Sequence, residues 1–312
     1  MALTAGDPAG VGPELVVAAM RHPLLRRRAS LLAVGPREAL IRAGWTPKLG
    51  PFLDPGIPVP AMRRPGPSVA GGRASFAAVR LAVRLAQDRR VDAVVTAPVS
   101  KQSWEMAKVG FRDHTQYLKA ATGSRDAGMM LLAGDLRAVL VTRHIPHSEV
   151  PARLTAAALS EAARLTVDAL RRNLSIRRPR LGLCALNPHA GDDGLLGKEE
   201  SRILVPWARR ERRGGFSLEG PLPADAAWAA HKAGRFDALL AVYHDQALIP
   251  LKLSGGYGAV NWTLGIPIIR TSPGHGTAFD LAGKGRADPS GMLAAALFAV
   301  RIVSSSPLAG ED

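Results

Sequence analysis

The stretch Ala238-Leu239-Leu240-Ala241-Val242-Tyr243-His244-Asp245-Gln246 sets five small or aliphatic residues against an abrupt polar ending. A short run with no apolar–polar alternation suits a strand covered on both faces, as in the parallel sheet of an α/β protein. Outward from it the arrangement recurs. Ala138–Thr142 runs into Arg143-His144-Ile145-Pro146, and Leu181–Leu186 into Asn187-Pro188-His189-Ala190-Gly191. Leu31–Val34, Ala93–Val95, Met129–Leu132 and Ile266–Ile269 also read as strands, and Val69–Asp88, Thr155–Asn173, Lys198–Arg209, Ala224–Ala233 and Pro289–Val303 have helical spacing. Strands alternating with helices predict a largely parallel sheet with helices on its faces. Pro47–Pro67 reads as a loop, and no repeat or low-complexity linker marks a domain boundary. A chain crossing twice between two lobes would hide one.

His144, His189 and His244 each follow an apolar run, at the strand ends where α/β proteins build their sites. Neutral imidazole is a common ligand for zinc and similar divalent ions, and three protein ligands with an open position is the catalytic arrangement. Taken singly, each histidine is as well explained by a turn or by solvent. Their shared topological place points to a metal-assisted enzyme.

The 312 residues are 47% hydrophobic and 21% charged, the composition of a globular protein with one or two cores. No stretch reaches the length of a membrane span, and the first residues meet glycine and acid too soon for a secretory signal. The single cysteine, Cys184, lies in an apolar run and reads as core filler; the cytoplasm is the expected location. The net charge of +15 comes mostly from scattered arginine, with clusters at Arg26-Arg27-Arg28 and Arg209–Arg213. Only 5% of residues are aromatic and none interleaves these clusters, so a base-stacking surface is poorly supported and no nucleic-acid or membrane partner is expected. An attraction for anionic substrates fits better.

Four further stretches carry chemistry. Gly6-Asp7-Pro8-Ala9-Gly10-Val11-Gly12-Pro13-Glu14 is a glycine-rich turn leading into an apolar helix, either a phosphate cradle or a tight turn. In Val95-Thr96-Ala97-Pro98-Val99-Ser100-Lys101, Ser100 can cap a helix, while Lys101 faces a phosphate or solvent. Asp113-His114-Thr115-Gln116 opens another helix; capping by Asp113 or Thr115 explains the hydroxyl but not the imidazole. His275–Pro289 has three glycines and little periodicity, and a loop of that length is uncommon unless it binds something. It resembles the loop with which isocitrate and isopropylmalate dehydrogenases hold the adenosine half of their nicotinamide cofactor. His275, Gly276, Thr277, Ala278 and Asp288 are its candidate contacts, and the Rossmann fingerprint is absent.

Taken in order, these motifs, with Gly220-Pro221-Leu222-Pro223-Ala224-Asp225 and Tyr-His-Asp-Gln, resemble the 4-hydroxythreonine-4-phosphate dehydrogenase (PdxA) family over essentially the whole chain. The resemblance implies an isocitrate/isopropylmalate-dehydrogenase-like α/β fold, two α/β/α lobes with a cleft between them. The lobes would be 1–108 with 262–312 on the cofactor side and 109–261 on the metal and dimer side. It also implies a homodimer with the site shared between subunits, NAD or NADP as cofactor, and a divalent metal (zinc, magnesium or cobalt) on His144, His189 and His244. His114, Thr115, Lys252, Asn261 and Arg270 would hold the substrate, a small phosphorylated hydroxy acid. Asp245, beside His244, is a candidate orienter or proton acceptor. Family members usually carry Gly-His-Thr-Glu where this chain has Asp113-His114-Thr115-Gln116, which bears on substrate choice. The implied activity is oxidation, with decarboxylation, of 4-phosphohydroxy-L-threonine to 3-amino-2-oxopropyl phosphate in pyridoxal phosphate biosynthesis. Dehydrogenation of 4-phosphoerythronate or threonate 4-phosphate is an alternative, and a basic anion- or nucleic-acid-binding protein without catalysis is another of a different class.

Overall fold

The computed structural model describes residues 1–59, 65–211 and 215–305. Part of the Pro47–Pro67 loop, Arg212-Arg213 of the basic cluster and the end of the 262–312 segment lie outside the described residues. The chain divides into two compact units. The first is Met1–Arg125 with Tyr257–Ser304; the second is Asp126–Gly256 with Ser305–Asp312, of which only Ser305 is described. The first unit therefore runs past the expected boundary at 108. The helix His114–Ala121 belongs to it because Tyr117 and Leu118 pack into a cluster with Trp104, Val79 and Val83. It resumes at Tyr257, ahead of 262, because the strand Val260–Leu264 pairs with Ile269–Pro273.

In chain order, β1 (Ala2–Thr4), β2 (Leu32–Val34), β3 (Phe52–Leu53) and β4 (Ala93–Thr96) start the first unit. The second unit contributes β5 (Gly128–Ala133), β6 (Leu136–Leu140), β7 (Arg180–Cys184), β8 (Ser217–Leu222) and β9 (Ala238–Ala241). The chain then returns for β10 (Val260–Leu264) and β11 (Ile269–Pro273). Within the first unit the order is β3-β2-β1-β4-β11-β10, parallel except for β10 against β11. Within the second it is β5-β6-β9-β7-β8, parallel except for β5 against β6. Each unit thus has a central strand, β1 or β9, with parallel neighbours on both sides, so the chain reverses its winding there. The loops leaving the carboxyl ends of such strands are where ligands bind in doubly wound sheets.

Two expectations need correction. The strand expected at Ile266–Ile269 lies further on, at Ile269–Pro273. Its residues Arg270, Thr271 and Ser272 are buried polar groups, which hid the strand from a reading based on apolar runs, while Pro267 has no N–H to pair. The helix expected over Lys198–Arg209 begins as a wide π-turn, Glu200–Leu204, before Val205–Glu211. Pro206 removes a donor and crowds the carbonyl four residues back, which the wider turn relieves.

In each unit helices cover the sheet. Val69–Gln87, capped by Ser68, buries Ala78, Val79, Ala82 and Val83 beside Trp104; Leu251, Trp228 and Phe236 close on Leu239 and Ala241 in the second unit. Burying a large apolar side chain such as these stabilises by about 1.5–3 kcal/mol. Cys184 is fully buried in that second core, and burial pushes its thiol up to about 12, as suits core filler rather than a nucleophile. Among the described residues no helix is long and apolar enough to cross a membrane.

Candidate active site

In the first unit the loops after β1 and β4 are tied together through a buried carboxylate. Asp7 accepts from the N–H of Ala9 at 3.1 Å and from the Ser103 hydroxyl at 2.7 Å, while its own N–H donates to the Pro98 carbonyl. With no cation among these partners, burial pushes the Asp7 carboxyl above its usual range. Ser100 caps the helix Lys101–Met106 by accepting from Ser103 N–H, so Lys101 stands at that helix's first position. At the next helix Asp113, not Thr115, is the cap, accepting from Gln116 N–H at 2.9 Å. That leaves His114 and Thr115 on the first turn.

Arg270 decides the character of this region. Asn261 and Thr263 on β10, Arg270 on β11 and Thr96 on β4 share one face of the sheet by register. The guanidinium, 2% exposed, donates from Nε and Nη2 to the Thr96 hydroxyl and from Nη1 to the Thr263 hydroxyl at 3.1 Å. No carboxylate forms an ion pair with it among the described residues. Desolvation pushes its pKa down to about 10, opposed by the more distant Asp113, so it stays charged at neutral pH. His114 packs against Trp104, with ring centroids 5.3 Å apart, and its Nε2 is buried without a hydrogen-bond partner. Burial first, then the charges of Arg270 and Lys101, hold that imidazole well below its ordinary pKa and therefore neutral. Asn261 Oδ1 is a second buried polar atom without a partner. A charged guanidinium with an unused imidazole nitrogen within electrostatic range suits an anionic group, while the unused amide oxygen can accept from a hydroxyl or ammonium of the same ligand.

The second unit places the histidines. Because β6, β9 and β7 are adjacent and parallel, their carboxyl ends lie along one edge. His144 follows β6 with a left-handed φ of 50°, and its ring centroid is 5.6 Å from that of His244. His244 starts the helix His244–Gly255 after β9, and its Nδ1 lies 2.6 Å from Asp245 Oδ1. The carboxylate engages one ring nitrogen and leaves Nε2 for a ligand. His189, after β7, starts a run of six residues, His189–Gly194, all with positive φ. Left-handed backbone costs about 1–2 kcal/mol for each residue other than glycine, and only Gly191 and Gly194 escape it here. No three histidine, cysteine or acidic side chains among the described residues converge on one point that could hold a metal. The chain thus pairs His144 with His244 and does not bring His189 to them. Lys252 is exposed on the helix of His244, on the same stripe as exposed Ile249 and Leu253.

These geometries can be set beside known proteins. The family described as pyridoxal phosphate biosynthetic protein PdxA matches residues 52–299. A 4-hydroxythreonine-4-phosphate dehydrogenase of Paracoccus denitrificans is 42% identical over 311 residues, 94% of each chain. The crystal structure of a 4-hydroxythreonine-4-phosphate dehydrogenase from Klebsiella pneumoniae matches with a TM-score of 0.85 at 33% identity, over 96% of this chain and 98% of that one. A terephthalate 1,2-cis-dihydrodiol dehydrogenase from Burkholderia xenovorans matches with a TM-score of 0.65 at 31% identity, over 97% of each chain. The chain belongs to the PdxA family. It is an oxidoreductase, a dehydrogenase of pyridoxal phosphate biosynthesis, with the α/β fold expected.

In this PdxA chain the His275–Pro289 stretch is a succession of turns with no regular element. Its Thr277 carbonyl accepts from Val11 N–H at 3.0 Å, and a Cβ on Gly10 would lie 2.7 Å from that same carbonyl oxygen, so the glycine permits the contact. Ala282 and Gly283 border a cavity of about 440 Å³ together with Pro8, Gly10, Glu14 and Arg42. Of the expected cofactor residues, Gly276 is exposed, His275 Nε2 is buried without a partner, and Ala278 has a left-handed φ of 42°. Asp288 caps the last helix instead of reaching the cavity: it accepts from Ser290 N–H at 2.8 Å, which holds its carboxyl below the usual range. Sequence reasoning missed Thr96 and Thr263, which hold Arg270. Both end or fill short strands and look like ordinary β-formers, so only pairing register exposes them.

Proposed function

We propose that the chain oxidises the secondary alcohol of 4-phosphohydroxy-L-threonine with NAD or NADP, the product losing carbon dioxide to give 3-amino-2-oxopropyl phosphate. The observation that carries this reading is Arg270, a buried guanidinium held by two threonine hydroxyls with no ion-paired carboxylate. A desolvated charge left in that state costs several kcal/mol, which an anionic group of the substrate offsets through charge-assisted hydrogen bonds. Neutral His114 donates from Nε2, Thr115 and Lys101 stand on helix amino termini, and Asn261 offers its amide. By the family resemblance Lys252 is a further substrate-binding cation.

Hydride leaves carbon readily only as the hydroxyl proton departs, so the site must favour the alkoxide. Two electrons and one hydrogen pass to the nicotinamide, leaving a ketone β to a carboxylate. The bond to that carboxylate then breaks, its electron pair moving toward the carbonyl as carbon dioxide leaves, and a proton returns to carbon. A divalent metal, whether zinc, magnesium or cobalt, supplies Lewis-acid stabilisation of the oxygen in both steps when bound. The donor set fits one: His144 and His244 lie side by side, and Asp245 fixes the ring of His244. In this reading Asp245 acts through His244. His189 completes the set from a second copy, and Leu195 and Leu253, each 83% exposed, are apolar side chains that a homodimer would cover. The cavity beside Gly283 takes the nucleotide end of the cofactor. The single buried thiol of Cys184 fits the cytoplasm.

Asp113 supports a second reading, with 4-phosphoerythronate or threonate 4-phosphate as substrate, because it replaces the family's usual glycine within electrostatic range of Arg270. Turnover of the three phosphorylated acids, each with NAD and NADP, separates these readings. The first requires phosphohydroxythreonine to show the highest kcat/KM. Turnover of none of the three would sink both.

A further inference from the structure

The segment that carries His189 is built on a single carboxylate that sequence motifs leave unassigned. Glu200, 4% exposed, lies in the π-turn Glu200–Leu204. Its Oε1 accepts from the backbone N–H groups of Leu186 and Asn187 at 2.9 and 2.8 Å, the two residues by which the chain leaves β7. Its Oε2 accepts from Asn187 Nδ2 at 2.9 Å, and that amide also donates to Glu199 at 2.8 Å. On the far side of His189, a Cβ on Gly191 would lie 2.8 Å from Glu200 Oε2, so the backbone there rests directly on the same carboxylate. The segment closes on itself where Leu196 N–H donates to the Gly191 carbonyl at 3.1 Å. A Cβ on Gly197 would lie 2.2 Å from Asn187 Nδ2, so only glycine passes there.

His189 thus lies between Asn187, bonded to Glu200 through its backbone and side chain, and Gly191, where the same carboxylate leaves no room for a Cβ. We propose that Glu200 is the positioning residue for His189: its carboxylate holds the backbone that enters the left-handed turn and lies close against the turn at Gly191, and so fixes where the imidazole is presented. Six consecutive positive-φ residues have no intrinsic reason to persist, and without that anchor the segment relaxes and carries His189 with it. A carboxylate suits the task because it accepts three hydrogen bonds with no donor of its own. Glutamine keeps one acceptor oxygen and turns an N–H toward the Asn187 amide, which also donates. Alanine removes all three bonds.

This inference rests on the reading of His189 as a metal ligand, and the test separates the two. Co²⁺ alone is titrated into the full-length wild type and into His189→Ala, Glu200→Ala, Glu200→Gln and Glu199→Gln, following heat and the visible ligand-field band. His189→Ala weakening Co²⁺ binding supports the ligand reading. Within it, Glu200→Ala is expected to weaken binding by about 10- to 100-fold and to alter the band, as loss of an outer-shell support does. Glu200→Gln should fall between that variant and the wild type, and Glu199→Gln should stay within about twofold, since it spares both backbone contacts. A wild-type isotherm and band in Glu200→Gln, with His189→Ala impaired, overturns the proposal alone. A His189→Ala titration that matches the wild type overturns the ligand reading. Should Glu200→Ala fail to fold, Glu200→Gln against Glu199→Gln decides the matter.

Discussion

The anion region of the first unit and the histidine region of the second are built on opposite plans. Around Arg270 the parts are finished. The guanidinium is buried and its threonine partners are in place, while His114 Nε2 and Asn261 Oδ1 wait with hydrogen-bonding capacity unspent. Around His244 the parts are half assembled. Two rings lie together, the third imidazole stands on a strained turn across the central strand, and no threefold ligand cluster forms among the described residues. The difference teaches that a charge for recognition can be fixed inside one folded unit, held in place by neighbouring hydroxyls yet left without a counter-ion. In the proposed reading, the histidine region needs its third ligand brought from a second copy.

The largest effect should come from the half-assembled side. His244→Ala is expected to lower kcat by about a thousandfold, because Lewis-acid stabilisation supplies several kcal/mol and each 1.4 kcal/mol is a factor of ten. Thermal midpoint should change little, since the ring is at a helix start and partly exposed. A chelator that strips divalent ions should imitate the variant, and metal addition should restore the wild type only. Activity untouched by both treatments would remove the metal from the reaction.

Next in size is Arg270→Met, which sharpens the contrast by setting stability against binding. Replacing a buried, unpaired guanidinium by an apolar chain of similar length should leave urea stability unchanged or raise it by about 1–3 kcal/mol. The same change should cut kcat/KM by about a hundredfold or more through lost charge-assisted bonds. A variant that is both unstable and inactive would mean that Arg270 is structural.

The sequence made the two regions unequally legible. His144, His189 and His244 stand out because apolar runs announce the strands before them, and the chain puts all three at strand ends as those runs required. Arg270 could be matched only by family resemblance. Its strand is polar and buried, Ile269–Pro273, so hydrophobic pattern pointed a few residues too early. Thr96 and Thr263 carry no local signal, since their role appears only when β4, β11 and β10 are laid side by side. The lobe boundary near 108 was misplaced for a similar reason: whether the helix at His114 belongs to one unit or the other is decided by the contacts of Tyr117, which no composition shift records.

Lys252 should show a smaller and more selective effect. It is exposed on a stripe shared with Ile249 and Leu253, and its charge is screened by solvent. Lys252→Ala is expected to weaken a phosphorylated substrate by about tenfold to a hundredfold, the worth of one directed charge-assisted bond. An unphosphorylated analogue should lose little. Equal losses for both would assign Lys252 to the chemistry or the fold.

The smallest effect is a pH dependence of stability that divides between the units. In the second, His231 is buried, with Arg137 N–H donating to Nε2 at 2.8 Å and Nδ1 3.0 Å from the Phe236 carbonyl. The first contact requires an unprotonated Nε2, whereas the bond from Nδ1–H to the carbonyl serves either form; burial, the largest cause, lowers the pKa from the usual value. In the first unit His114 is lowered for the reasons already given. For each group the unfolded chain binds more protons than the folded one below about pH 6.5, so stability must rise with pH in that range. Their contribution is fully present above about pH 6.5 and is lost as the pH falls toward the lower folded values. Urea midpoints measured from about pH 8 down to about pH 5 should therefore decline, and less steeply in His231→Gln. Added inorganic phosphate should flatten the remaining slope by giving protonated His114 a counter-charge, while leaving the share of His231 intact. A slope indifferent to phosphate in His231→Gln would show that the imidazole of His114 does not face the anion.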